Sequence, residues 1–152
     1  MGADYSLQKK EILNVAIERF DFQSGGEASS QLKNLLRKLG VGSDTVRKTA
    51  IVTYELEMNV IIHSFGGEIT AQISEDELVI YANDKGPGIA DLEKALTPGF
   101  STAGSEIREM GFGAGMGLVN VRRYADNMDI RTAEGEGTNI KVTINLEKPL
   151  SD

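Results

Sequence analysis

Residues 43–84 read SDTVRKTAIVTYELEMNVIIHSFGGEITAQISEDELVIYAND, and this run decides the fold. Neither Gly nor Pro interrupts residues 43–64, and apolar residues recur there at helical spacing. That predicts one long helix ending near Ser64, with Ser43 or Asp44 as its cap. Gly66-Gly67 then breaks the chain. ITAQI and LVIYA each alternate apolar and polar around SEDE, which predicts an antiparallel hairpin.

Upstream, residues 12–22 (ILNVAIERFDF) read as a strand with Val15, Ile17 and Phe20 inward; helical periodicity is the alternative there. Residues 27–39 (EASSQLKNLLRKL) read as a helix with Leu32, Leu35, Leu36 and Leu39 on one face, ended by Gly40 and Gly42. Downstream, residues 85–112 are polar and Gly-rich and read as a loop. Residues 117–128 space Leu118, Val121, Ala125 and Met128 as one helical face. Two strands, MDIRTA and TNIKVTINL, close the chain around the Glu134-Gly-Glu-Gly137 turn. This order predicts an α/β two-layer sandwich, its mixed or largely antiparallel sheet covered on one face by helices. Residues 12–147 form the expected single domain, with residues 1–11 an extension and 148–152 a tail.

Composition narrows the chemistry. A chain of 152 residues with 40% hydrophobic content suits one domain with a real core. There is no Cys and only one His, which excludes disulfides, thiolate metal sites and multi-His centres. No apolar run reaches the ~18 residues of a membrane span, and the N-terminal residues lack the apolar core of a signal peptide. A soluble cytoplasmic domain is expected, with no membrane partner. The net charge of −7 argues against a nucleic-acid partner. It leaves room for a phosphorylated ligand, since backbone N–H groups and a metal ion can meet phosphates.

On a helical wheel, Thr53, Glu57 and Ser64 share one narrow face of the 43–64 helix, the expected solvent face. Glu55 and Asn59 fall nearly opposite, among Ile51, Val52, Met58 and Ile62, with His63 a turn further on. A carboxylate in that setting needs a partner or a function. Four residues apart, Glu55 and Asn59 can address one ligand. Burial raises a carboxyl toward proton-abstracting range, and an Asn oxygen suits a cation that keeps most of its waters. The structural alternative, an edge carboxylate beside a hydrogen-bonded core amide, stays open.

Asp84-x-Gly86-x-Gly88 follows an apolar strand, so Gly86 and Gly88 allow close backbone approach to a flat ligand. An ordinary surface turn explains the same residues. GFGAGMGL, residues 111–118, runs into a helix, where free N–H groups and the helix dipole favour anions. No parallel strand leads into it and no Gly-Lys-Ser/Thr follows, so it is neither a Rossmann fingerprint nor a Walker A loop.

Taken in order, these motifs resemble the GHKL ATP-binding fold of gyrase-type ATPases, histidine kinases and MutL, and above all its small anti-sigma-factor serine kinase branch. E-x-x-x-N appears as YELEMNVIIHS, D-x-G-x-G as DKGPGI, the G-x-G before a helix as GAGMGL, and the late Gly-Thr as Gly137-Thr138. PGFSTAG is similar to the kinase lid segment. GFGAGMGL has an extra Gly pair relative to the simplest anti-sigma form and is closer to the switch kinases.

The resemblance implies Glu55 as general base, Asn59 as Mg²⁺ ligand and Asp84 as reader of the adenine amine. Gly86 and Gly88 would shape the adenine pocket, and Thr138 would support Asp84. Ser101, Thr102, Gly113, Gly115, Gly117 and Leu118 would line the nucleotide. It implies ATP and Mg²⁺ as cofactors and a STAS-domain antagonist protein as substrate, phosphorylated on Ser or Thr. A sigma factor or downstream phosphatase as partner, and a homodimer, are compatible with it. The alternatives are an ATP-gated interaction module or an accessory ATPase of the same fold. Retention of Glu55 favours the enzyme, because a binding module needs only the Asn, Asp and Gly set.

Overall fold

The computed structural model describes residues 9–98 and 117–146. Strand β1 (Lys10–Ile17) leads through a 3₁₀ turn (Phe22–Ser24) to helices α1 (Glu27–Lys38) and α2 (Ser43–His63). The hairpin β2 (Gly67–Ile73) and β3 (Glu77–Asp84) follows, then the single turn α3 (Leu92–Ala95). Helix α4 (Gly117–Tyr124) and strands β4 (Asn127–Ala133) and β5 (Gly137–Asn145) complete the described chain. The five strands lie in the order β1-β2-β3-β5-β4. Every pairing is antiparallel, so the sheet is not mixed. Among the described residues no helix is long and apolar enough to cross a membrane.

The register explains the two layers. Leu13, Ala71, Ile80, Val142 and Met128 stand in one row across all strands, and Val15, Ile69, Ala82, Ile140 and Ile130 in another. These rows face the helices and meet Leu32 and Leu36 of α1 and Val52, Leu56, Val60 and Ile61 of α2. The intervening rows, such as Asn14, Thr70, Tyr81, Lys141 and Asp129, point to the other face, because side chains alternate along each strand. That face is polar, so one covered face suffices.

Several sequence expectations change. Strand β1 stops at Ile17, and Phe20 is 47% exposed with a left-handed φ of 59°, not inward. On α1, Leu32 and Leu36 are buried, Leu35 is half-buried and Leu39 is 57% exposed, because only the side over the sheet and α2 is covered. Neither Ser43 nor Asp44 caps α2; Gly42 is the cap and makes no side-chain hydrogen bond. The last helix ends at Tyr124, and Met128 instead packs on the core from β4. The apolar spacing continued across Asp126 because strand and helix present Met128 and Ala125 to the same core.

The largest correction concerns the face of α2 expected in solvent. Thr53, Glu57 and Ser64 are all buried. Helix α2 packs on α1, on α4 and on the sheet, so little of its circumference is left open. The polar groups are satisfied locally, as burial requires. The Thr53 hydroxyl donates to the Thr49 carbonyl at 2.7 Å and that of Ser64 to Val60 at 2.6 Å. The Glu57 carboxylate accepts the N–H groups of Gly26, Ala28 and Ser29, each at 3.1 Å. Glu57 is thus the missing N-terminal acceptor of α1, supplied by the neighbouring helix. Burial pushes its carboxyl above the ordinary range, and these N–H bonds pull it partly back.

Candidate functional site

The end of the helix-covered sheet face is polar where the rows above it are apolar. Counting on from Ala82, Ile140 and Ile130, the next row on that face is Asp84, Thr138 and Thr132. The Thr138 N–H donates to Asp84 Oδ1 at 3.1 Å. The Thr138 and Thr132 hydroxyls lie 3.0 Å apart, and Thr132 Oγ1 accepts the Ile89 N–H at 2.8 Å. Burial raises the Asp84 carboxyl above its ordinary range, while the Thr138 N–H favours its charged form. Among the described residues, the Thr138 N–H is the donor to Asp84.

Gly86 and Gly88 weld the following turn to two neighbours. A Cβ on Gly86 would lie 3.1 Å from Ser64 Cα, at the end of α2. Gly88 has φ +77°, and a Cβ there would lie 2.5 Å from the Ala133 carbonyl oxygen at the end of β4. Phe65 N–H donates to the Lys85 carbonyl at 2.8 Å, so the start of this turn is also tied to the exit of α2. Gly137, likewise at positive φ, is packed so closely on the Asp84 backbone that a side chain has no place. Its Gly identity sets the approach of β5 that delivers the Thr138 N–H.

At the other end of the same helical stretch, Glu55 meets α4. A Cβ on Gly117 would stand 3.2 Å from Glu55 Oε2. Burial raises the Glu55 carboxyl, and the side-chain amide of Asn120, on the same face of α4 as Gly117, moderates that rise. Glu55 and Asn59 are both half-buried. Asn59 lies one turn from Glu55 toward the Gly86 contact, and no described residue hydrogen-bonds its amide. His63 follows a turn later, its imidazole held below the ordinary range by burial. From Glu55 to Ser64 the helix rises about 13 Å, enough to run alongside an extended nucleotide.

The structure thus gathers Gly86, Gly88 and Thr138 around Asp84 and the exit of α2, and sets Gly117 against Glu55 further back along α2, with Asn59 between the two groups. Leu118, expected beside the ligand, is buried and belongs to the core. Ser101, Thr102, Gly113 and Gly115 lie outside the described residues. Asn120 and Thr132 went unnoticed in the sequence. The three-residue step from Gly117 to Asn120 is the one sequence signal for the former; Thr132 is placed by the register of β4 against β5, which the sequence does not display.

This combination defines a nucleotide-binding module: a two-layer α/β sandwich with a carboxylate at the end of β3 and a helix N-terminus facing an acidic, amide-bearing helix. The comparisons with known proteins agree. Residues 44–148 match the histidine kinase-, DNA gyrase B- and HSP90-like ATPase family, and the chain belongs to it. It is 36% identical over 120 residues to the serine/threonine-protein kinase RsbT of Bacillus subtilis, covering 75% of this chain and 84% of that one. It is 35% identical over 101 residues to the anti-sigma F factor of a Thermoanaerobacter species, covering 63% of this chain and 66% of that one. These relatives set it in the serine kinase and anti-sigma branch of the family. A solved Mycobacterium tuberculosis chain with RsbU and RsbW domains shares the fold at TM-score 0.60 and 15% identity, over 91% of this chain and 34% of that one. The mycobacterial sensor histidine kinase MprB does so at TM-score 0.52 and 16% identity, over 91% of this chain and all of that one.

Proposed function

We propose that this chain is an ATP-dependent protein serine/threonine kinase of the switch type, cytoplasmic, with residues 12–147 as its one domain. Its substrate is a small STAS-domain antagonist protein, and binding to partners such as a sigma factor or phosphatase completes the switch. The observation that carries this reading is Glu55. It stands on α2 within contact of the first residue of α4, one turn from Asn59, on the line that leads to Asp84.

Asp84 would take the exocyclic amine of adenine through the oxygen left after Thr138 has engaged the other. Gly86 and Gly88 would let the base lie against backbone. Gly117 would bring the N–H groups opening α4 to the phosphates, with Gly113, Gly115, Ser101 and Thr102 assigned beside it by resemblance. The amide of Asn59 fits Mg²⁺, which takes few protein oxygens and keeps its waters. Asn59 would hold that ion, which when bound neutralises charge on the β- and γ-phosphates. Glu55 would accept the proton of the incoming Ser or Thr hydroxyl. As that oxygen bonds to the γ-phosphorus, the bond to the β–γ bridging oxygen breaks and ADP departs. Catalysis on this pattern is chiefly positioning and charge neutralisation.

The test is incubation with γ-labelled ATP and the STAS protein encoded nearby. Label on a Ser or Thr of that protein is the expected result. ATP-dependent binding of the partner without transfer would favour the interaction module instead.

A further inference from the structure

Helix α4 presents two residues to Glu55, not one. Gly117 and Asn120 are three residues apart and share a helical face. Gly117 admits Glu55 Oε2 where a side chain would crowd it, which turns the Asn120 amide on the same face toward that carboxylate, whose charged form it favours. Leu118, Val119 and Val121 are buried around them, so α4 is clamped and Asn120 stays in register with α2. A Glu side chain has three rotatable bonds, so a base held on one side only by burial needs a polar neighbour to fix its direction.

We propose that Asn120 is a positioning residue for Glu55. Its amide N–H takes one lone pair of the carboxylate and leaves another directed at the substrate hydroxyl. The contact also ties the base to the helix whose N-terminus would meet the phosphates, so base and γ-phosphoryl are set relative to each other by a single rigid element. The proposal rests on the reading of Glu55 as base, though the contact itself does not depend on catalysis.

The variants Asn120→Ala and Asn120→Asp test it, each in the native and in the Glu55→Gln background. Loss of a hydrogen bond to a charged group corresponds to roughly 10-fold in rate. Asn120→Ala should therefore lower kcat for transfer roughly 10-fold, and Asn120→Asp more, because a second carboxylate faces the first. KM for ATP should be little changed. In the Glu55→Gln background neither substitution should lower transfer further. Equal losses in both backgrounds, or native transfer by Asn120→Asp, would overturn the proposal.

A second readout needs no transfer. At neutral pH, Asn120→Asp should depress the melting temperature in the native background and do so far less once Glu55→Gln removes the opposing charge. Equal depressions in the two backgrounds would overturn the contact. If this coupling holds while the native chain phosphorylates no STAS protein, the contact stands and the kinase reading falls.

Discussion

Replacing Glu57 by Ala should destabilise the protein although the residue lies outside the nucleotide site. The carboxylate is 1% exposed and accepts three N–H groups at the start of α1. Those of Ala28 and Ser29 are buried, whereas that of Gly26 is half-buried and can turn to water. Each buried N–H left without an acceptor costs about 1–3 kcal/mol, so the two together cost about 2–6. Removing a buried carboxylate also removes its desolvation penalty, which offsets part of this and leaves a net loss of about 1–4 kcal/mol. Against a typical total of about 5–15 kcal/mol that is a large share, equivalent to a melting temperature lower by about 2–16 °C. Urea unfolding followed by far-ultraviolet circular dichroism measures it, and hydrogen exchange at Ala28 and Ser29 locates it. A loss below about 0.5 kcal/mol, within the scatter of surface substitutions, would refute the capping argument.

The same variant carries a pH signature. The folded-state pKa of Glu57 is raised above 4.5, so the fold binds its proton more tightly than the unfolded chain does. The proton-linked part of its contribution is fully present below 4.5 and is lost as pH rises through the elevated value, while the N–H bonds to the carboxylate persist at neutral pH. Glu55 and Asp84 are shifted in the same direction. His63, lowered from 6.5 by burial, works the other way, its contribution being lost as pH falls through its depressed value. Subtracting the Glu57→Ala stability curve from the native one should isolate a decline with rising pH that starts near the ordinary carboxyl range.

Asp84→Asn should weaken ATP binding about 10-fold or more, since a charged hydrogen bond contributes about 1–3 kcal/mol; native affinity by calorimetry would remove the adenine assignment. Gly88→Ala should also weaken ATP binding, because its Cβ would lie 2.5 Å from the Ala133 carbonyl at φ +77°; an unchanged affinity would show that this turn does not form the pocket. Mg²⁺-ATP should raise the melting temperature by mass action, and EDTA should reverse most of the rise in the native chain but little of it in Asn59→Ala.

The element order was legible because hydrophobic period and Gly breaks agree along most of the chain. Alternation in ITAQI and LVIYA marked a sheet with one covered face, and the register places Ile69, Ala71, Ile80 and Ala82 on it. The burial of Thr53, Glu57 and Ser64 was not legible, because a wheel assigns polar residues to solvent and cannot know that α1, α4 and the sheet together surround α2. Glu57 in particular answers N–H groups about thirty positions away in the chain, a pairing that no local pattern displays. Glu55, Asn59 and Asp84 were visible as motifs, while Asn120 and Thr132 act through contacts set by packing and register.

Phosphoryl transfer by Glu55→Gln bears most directly on the central claim, measured beside nucleotide affinity with a STAS protein as acceptor. Gln keeps the shape beside Gly117 but cannot take the hydroxyl proton. General-base loss lowers rate by ~10²–10⁴-fold, and the account expects that fall with ATP affinity nearly unchanged. Transfer at the native rate would contradict it.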